Sequence, residues 1–271
     1  MSTAQIAILL AIGLASGLMG GLLGIGGGVI IVPVLVELLP RFGAPPEEVM
    51  HLTVATSLAA VLLTSISSSR AHAKKGNVVR RLVMYAGPMA AFGGIGGAWI
   101  AKYLPGEWHK RGFGLFLIAV AIQLLKPEKK NGGEAPSKAP EPHEIPIPGA
   151  LAAGIAIGIA AGVLGIGGGS LAVPIFHLLL GLPIHQSVGT SAAVGVFAAL
   201  LGTITHMLVP AGKEAIPYAI GYVHWPSALI ISVSAVLTAQ LGARLAAKTK
   251  PGPLRRIFGG FLLFVAARLL F

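Results

Sequence analysis

One decapeptide occurs twice in this chain. It reads Gly24-Ile25-Gly26-Gly27-Gly28-Val29-Ile30-Ile31-Val32-Pro33 and returns 141 residues later as Gly165-Ile166-Gly167-Gly168-Gly169-Ser170-Leu171-Ala172-Val173-Pro174. Ahead of each copy stand glycines at i, i+4 and i+8: Gly13, Gly17 and Gly21, then Gly154, Gly158 and Gly162. Inside a helix, glycine costs roughly 0.5–1 kcal/mol relative to alanine. Four glycines within five residues therefore stop one helix and let another start. Breaks at corresponding places in two halves point to a binding site made of discontinuous membrane helices. The ladders act differently. Their spacing leaves one helix face without side chains, so that another helix can approach closely.

Composition sets the environment. Of 271 residues, 55% are hydrophobic and 11% charged, against about 25% charged in a soluble domain. So little charge cannot cover a water-soluble surface, and the apolar runs are expected to face lipid. The formal net charge of +11 does not point to nucleic acid as a partner, because Lys and Arg crowd the cytoplasmic loops of membrane proteins. The absence of cysteine excludes disulfides and thiolate metal sites. Residues 1–10 carry no basic n-region, which argues against a cleaved signal peptide.

Apolar segments are predicted at residues 4–23, 29–39, 49–69, 82–100 and 112–125. At 126–149 the composition turns to proline, lysine, glutamate and glycine, as in a solvated linker. A second series follows at 150–164, 170–180, 184–208, 225–247 and 257–271. The expected fold is an all-α polytopic membrane protein with about 8–10 membrane segments broken at the glycine tracts. It comprises a first membrane repeat (1–125), a cytoplasmic linker (126–149) and a second membrane repeat (150–271). The duplication extends past the tracts. His51-Leu52-Thr53-Val54-Ala55-Thr56-Ser57 matches His185-Gln186-Ser187-Val188-Gly189-Thr190-Ser191 at an offset of 134, which also relates His72 to His206. Gly76-x-Val78 matches Gly221-x-Val223 at an offset of 145. The offset changes only within loops, where length varies freely.

Loop charge chooses between two topologies. If the short segments 29–39 and 170–180 cross the membrane, the halves are inverted, with 14 of the 20 Lys and Arg inside and 6 outside. If those segments are re-entrant, the halves are parallel and the split is 11 to 9. The positive-inside rule prefers the inverted repeat. A re-entrant hairpin stays open as the alternative, since a short segment with a glycine hinge suits one.

The tract is not a dinucleotide fingerprint, because Val29 and Ser170 stand where its third glycine would fall. Glycines do expose successive backbone N–H groups, and a helix starting there aims its positive end at the break. Gly26, Gly27 and Gly28 with Gly167, Gly168, Gly169 and Ser170 are thus candidate ligands for an anion between the two tracts. Thr56-Ser57 and Thr190-Ser191 recur in register. Such hydroxyls either bond back to their own helix or offer an anion neutral donors without a buried cation, which is expensive in a bilayer. Both pairs are candidate substrate ligands, and Thr53 and Thr64 are read as lying off the site.

His51, His72, His185 and His206 stand at the ends of the third segments. Helix-end histidines commonly sit at the interface or cap a helix. His72 and His206 are also candidates for a proton relay, because histidine titrates near neutrality. No His-x-x-x-His pair exists to hold a metal. Acids occur only near segment edges, as Glu37 does, and no nucleophile–base pairing can be drawn. No catalytic residue, enzyme activity or cofactor is expected.

The ladder, the tract and the downstream Thr-Ser, each present twice, resemble the sulfite exporter TauE/SafE family. The first copy runs Gly17-Leu18-Met19-Gly20-Gly21-Leu22-Leu23-Gly24 into the tract and on to Thr56-Ser57; the second covers 158–174 and Thr190-Ser191. The likeness spans nearly the whole chain apart from the linker. It implies a multi-pass permease of the inner membrane, a secondary transporter that exports a small sulfur-containing anion such as sulfite or an organosulfonate. An anion channel built from the same half-helices, a transporter of another small anion, and a membrane scaffold or enzyme subunit without transport are the competing readings. The partners expected are the small anion and the lipid bilayer, with a homo-oligomer left open.

Overall fold

The computed structural model describes residues 1–23, 26–126, 146–210, 216–246 and 252–271. Most of the linker predicted at 126–149 lies outside the described residues, as do Gly24, Ile25, Lys213 and the middle of the 244–256 loop. The described helices are α1 (Thr3–Leu23), α2 (Gly28–Leu38), α3 (Val49–Ala73), α4 (Arg80–Tyr103) and α5 (Gly106–Leu125), then α6 (Ile147–Leu164), α7 (Gly169–Pro174), α8 (Ile184–Leu208), α9 (Trp225–Ala246) and α10 (Gly252–Leu270). Five of them, α1, α3, α6, α8 and α9, are long and apolar enough to cross a bilayer.

Helices start within about three residues of the expected segments, except α5 and α10, where a charged turn precedes the apolar run. Helix α5 begins at Gly106 rather than 112, after Pro105 and with Glu107 in its first turn. A carboxylate there faces the positive end of the helix, so hydropathy trims a turn that electrostatics supports. The all-α expectation needs one amendment. Ala219–Ile220 (β1) and Val223–His224 (β2) pair antiparallel just before α9. Helix α7 also departs from regularity. Past Pro174 it widens into a π turn over Ile175–Leu179, with the Leu180 N–H bonded to the Ile175 carbonyl at 3.2 Å. Proline has no N–H to donate and crowds the turn before it, so regular α-helix is weakened at this point.

The contacts fix the helix directions. Gly13 and Gly17 of α1 abut Ile231 and Ala235 of α9, so α1 and α9 run parallel. Thr56 meets His224 and Ala60 meets Ser232, so α3 runs parallel to α9. Helices α1 and α3 therefore point the same way, and α2 carries the chain back between them. The other ladder repeats the arrangement: Gly154 lies on Ala86 and Gly158 on Ala90, so α6 and α4 are parallel. Helices α3 and α8 run antiparallel, with Gly202 against Leu58 and Gly189 against Asn77 and His72. So do α5 and α10, with Gly114 against Leu270 and Gly259 against Leu125.

Both ladders carry the close packing expected of them. A Cβ on Gly17 would lie 2.1 Å from the Ala235 carbonyl oxygen, and one on Gly158 would lie 2.2 Å from that of Ala90. Among lipid tails, apolar side chains gain little by meeting each other, so backbone-to-backbone contact is what holds such helices together. One buried apolar cluster joins α2, α3 and α5 through Ile31, Leu35, Val54 and Phe113. A second joins α4, α6 and α8 through Ala90, Ile157 and Val194. The two glycine tracts meet between them.

Candidate functional site

The tracts touch directly. A Cβ on Gly28 would lie 2.4 Å from the Gly165 carbonyl oxygen, and one on Gly26 would lie 2.8 Å from that of Ile166. The contact needs bare backbone. Gly26 (φ +82°) and Gly167 (φ +65°) also adopt the left-handed conformation, which costs any residue with a Cβ. The Ser57 hydroxyl donates to the Gly165 carbonyl at 2.8 Å and ties α3 to the second tract. No room therefore remains at the Gly28–Gly165 contact itself, and the expected space between the tracts is displaced to one side.

That space is a cavity of about 40 Å³ lined by Gly26 and Gly27 of the first tract and Gly167 and Gly169 of the second. Polar walls come from Ser16 of α1, Thr64, Ser65 and Ser68 of α3, and Ser191 of α8. A water needs roughly 10–15 Å³ of such space, so the cavity holds about three waters, close to the bulk of a small oxyanion without its hydration shell. No charged side chain lines it. Helix α2 starts at its edge, with Gly27 at the N-cap. The N–H groups of Ile30 and Ile31 return to the Gly27 carbonyl. Those of Gly28 and Val29 stand in the first turn, which has no intrahelical acceptor, at the positive end of the helix.

Of the residues singled out in the sequence, Gly26, Gly27, Gly167, Gly169 and Ser191 line this cavity. Gly28 packs on the opposing tract, and Gly168 lies under Ile157, whose Cγ2 would stand 2.5 Å from a Cβ there. Ser170 is buried, and its hydroxyl has no partner among the described residues. Thr56 and Thr190 do other work. The Thr56 hydroxyl accepts the His224 N–H at 3.0 Å, and the Thr190 hydroxyl accepts the Val79 N–H at 3.0 Å. Val79 and His224 are 145 residues apart and the threonines 134, the two offsets that relate the flanking motifs. Each threonine thus secures the residue that leads into α9 or α4.

Four polar residues of the cavity were not singled out as ligands. Thr64, expected off the site, lines it, with its hydroxyl donating back to Ala60 and Val61 at 3.1 and 3.0 Å. Ser16, Ser65 and Ser68 are the others. A signal for three of them exists in the sequence: Ser57, Thr64, Ser65 and Ser68 fall at i, i+7, i+8 and i+11, a single helical stripe. Ser16 gives no such signal, because its hydroxyl reaches the site only where α1 meets the tracts.

The helix-end histidines are mostly interior rather than interfacial. His185 is exposed, whereas His51, His72 and His206 are buried. Neither relay candidate lines the cavity. His206 Nε2 lies 3.0 Å from the Gly162 carbonyl. Both ring nitrogens of His72 lack partners among the described residues. Around His51 the fold gathers groups from distant segments: the Tyr222 ring lies tilted against it with centroids 5.4 Å apart, and His109 meets it edge-on at 5.6 Å. Burial, then the N-terminal ammonium, holds the nearby His224 imidazole below its usual range.

Comparison with known proteins gives the family. The sequence profile described as "Sulfite exporter TauE/SafE" matches residues 9–269. A "Probable membrane transporter protein" of Haemophilus influenzae is 32% identical over 265 residues, covering 96% of each chain. One of Methanocaldococcus jannaschii is 30% identical, covering 95% of this chain and 92% of the relative. A third, from Bacillus subtilis, is 27% identical over 98% of both. No solved structure matches the chain. With its paired glycine tracts, apolar helices and a profile match running almost end to end, the chain is an integral membrane protein that belongs to the sulfite exporter TauE/SafE family of membrane transporters.

Proposed function

We propose that this protein is a secondary transporter that exports a small sulfur-containing anion, sulfite or an organosulfonate, from the cell across the inner membrane. The observation that carries the reading is the small uncharged cavity where both glycine tracts, the start of α2 and four serines converge. An anion entering it loses water, and the protein must replace those hydrogen bonds. Backbone N–H groups at a helix start and serine hydroxyls do so without a buried cation. Binding then stays modest, as release requires.

The proposal treats residues 1–125 and 150–271 as inverted repeats joined by a cytoplasmic linker. Supporting it, α3 and α8 run antiparallel, as do α5 and α10, while α1 parallels α9 and α6 parallels α4. A two-fold axis in the membrane plane produces this pattern, and such repeats rock around a fixed site. The lining residues of α3, Val61 to Ser68, lie in its second half, toward the basic loop at 70–81. That end is cytoplasmic by the positive-inside rule. His72 and His206 lie toward opposite ends of the antiparallel pair α3 and α8 and are the proposed proton relay groups.

The test is a thermal-shift screen of the purified protein with sulfite, sulfate, sulfoacetate, phosphate and chloride, since a ligand of the folded state raises its stability. Ser65→Ala and Ser68→Ala should then weaken binding of the stabilising anion by roughly tenfold to a hundredfold, the value of a hydrogen bond to a charged group; the Ser191 hydroxyl donates to the Val188 carbonyl at 2.9 Å, so Ser191→Ala should cost less. Parent-like affinity in both the Ser65 and the Ser68 variant sinks the site. Counterflow in proteoliposomes separates a carrier from a channel, because a channel gives no trans-stimulation.

A further inference from the structure

A second concavity lies away from the glycine tracts. It is a groove of about 980 Å³ between the C-terminal halves of α3 and α9. Its walls include Leu63, Val233 and Leu237, which are exposed, and its end carries Arg70, Lys74 and Arg244. None of these three cations is ion-paired among the described residues. From Leu63 to Lys74 the helix rises about 16 Å at its usual pitch, and one leaflet contributes about 15 Å of hydrocarbon. The groove thus spans one leaflet, apolar where acyl chains lie and basic where headgroups lie.

The duplicated surface on α8 and α4 makes the contrast. There Phe197 takes the place of Leu63, and its ring lies 3.0 Å from where a Cβ on Gly87 would stand. Ile204, Leu208 and Trp99 occupy the positions of Arg70, Lys74 and Arg244. One copy of the junction is filled and carries no cation at those positions. The other is open and basic. Helix packing alone requires neither the opening nor the charge, since the filled copy packs without them.

We propose that the α3–α9 groove binds one anionic phospholipid, with an acyl chain against Leu63, Val233 and Leu237 and its phosphate held by Arg70, Lys74 and Arg244. Guanidinium groups match phosphate oxygens two at a time, and each cation near the headgroup layer adds roughly fivefold to anionic lipid affinity.

The test is native mass spectrometry and thermal shift of the detergent-purified protein with phosphatidylglycerol, phosphatidylcholine or inorganic phosphate added. Phosphatidylglycerol should be retained and should raise the melting temperature, with phosphatidylcholine and inorganic phosphate ineffective. Arg70→Gln with Arg244→Gln should weaken phosphatidylglycerol binding roughly twenty-five-fold, and Lys102→Gln, at the far end of α4, should leave it unchanged. Leu63→Phe, which copies the filled junction, should also reduce it and stands independently if the double variant fails to fold. Equal binding of the two lipids, or parent-like binding in the double variant and in Leu63→Phe, overturns the proposal. A phosphate effect equal to that of phosphatidylglycerol overturns it too, and makes the groove a vestibule for small anions.

Discussion

Replacing Thr56 by Val removes a hydroxyl while keeping the shape of the side chain. In the folded protein that oxygen accepts the His224 N–H at 3.0 Å, in a buried setting. Valine offers no acceptor, and water cannot reach the amide. A buried donor left unsatisfied costs about 1–3 kcal/mol. For a chain of this size each kcal/mol moves the melting temperature by roughly 2–4 °C, so a loss of about 2 kcal/mol lowers it by roughly 4–8 °C. Thr190→Val should cost less. Its partner, the Val79 N–H, is only part-buried, so water takes over part of the bond. Neither variant should change anion affinity by more than about twofold, since neither threonine lines the cavity. Fluorescence-detected melting in detergent, paired with anion titration, reads both quantities. A Thr56→Val protein that melts like the parent but binds anion tenfold more weakly would refute this reasoning and restore the threonines as ligands.

Gly158→Leu should abolish assembly of α6 on α4, because a Cβ there would already lie 2.2 Å from the Ala90 carbonyl oxygen; a monodisperse peak and parent-like melting would contradict this. Stability should fall on acidification. Burial lowers the folded-state pKa of His224, so the unfolded chain takes up its proton first. The contribution is intact above about pH 6.5 and is lost as pH falls through the folded value. His224→Gln should therefore reduce the melting difference between about pH 7.5 and about pH 5; an unchanged difference removes His224 as the source. Single cysteines at Asn77 and Pro217 should react with an impermeant reagent from opposite sides of the membrane. Labelling of both from outside argues against inverted halves.

Much of the helix series was legible in the sequence because its causes are local. Apolar run length, a glycine tract and a proline each act within a few residues, so the segment at 184–208 coincides with α8. Where the cause was a charged first turn, as at Glu107, hydropathy alone misplaced the start of the helix. The ladders announced close packing, since a bare helix face has few other uses. They could not say that α1 would lie on α9 and α6 on α4, because that choice is made by the whole chain.

The candidate site divides along the same line. The tracts were visible as breaks, and the structure adds that they meet backbone to backbone at Gly28 and Gly165. Direct contact moved the open space sideways, against Ser65 and Ser68, which share a helical stripe with Ser57, and against Ser16, which no pattern marks. Thr56 and Ser57 illustrate the limit. Adjacent residues of one helix point about 100° apart: Ser57 faces the second tract and Thr56 faces β2. The sequence determined that hydroxyls would be buried in these helices. Only the tertiary structure decided which of them meet a backbone group and which face the cavity, because a hydroxyl takes its role from the element packed against it.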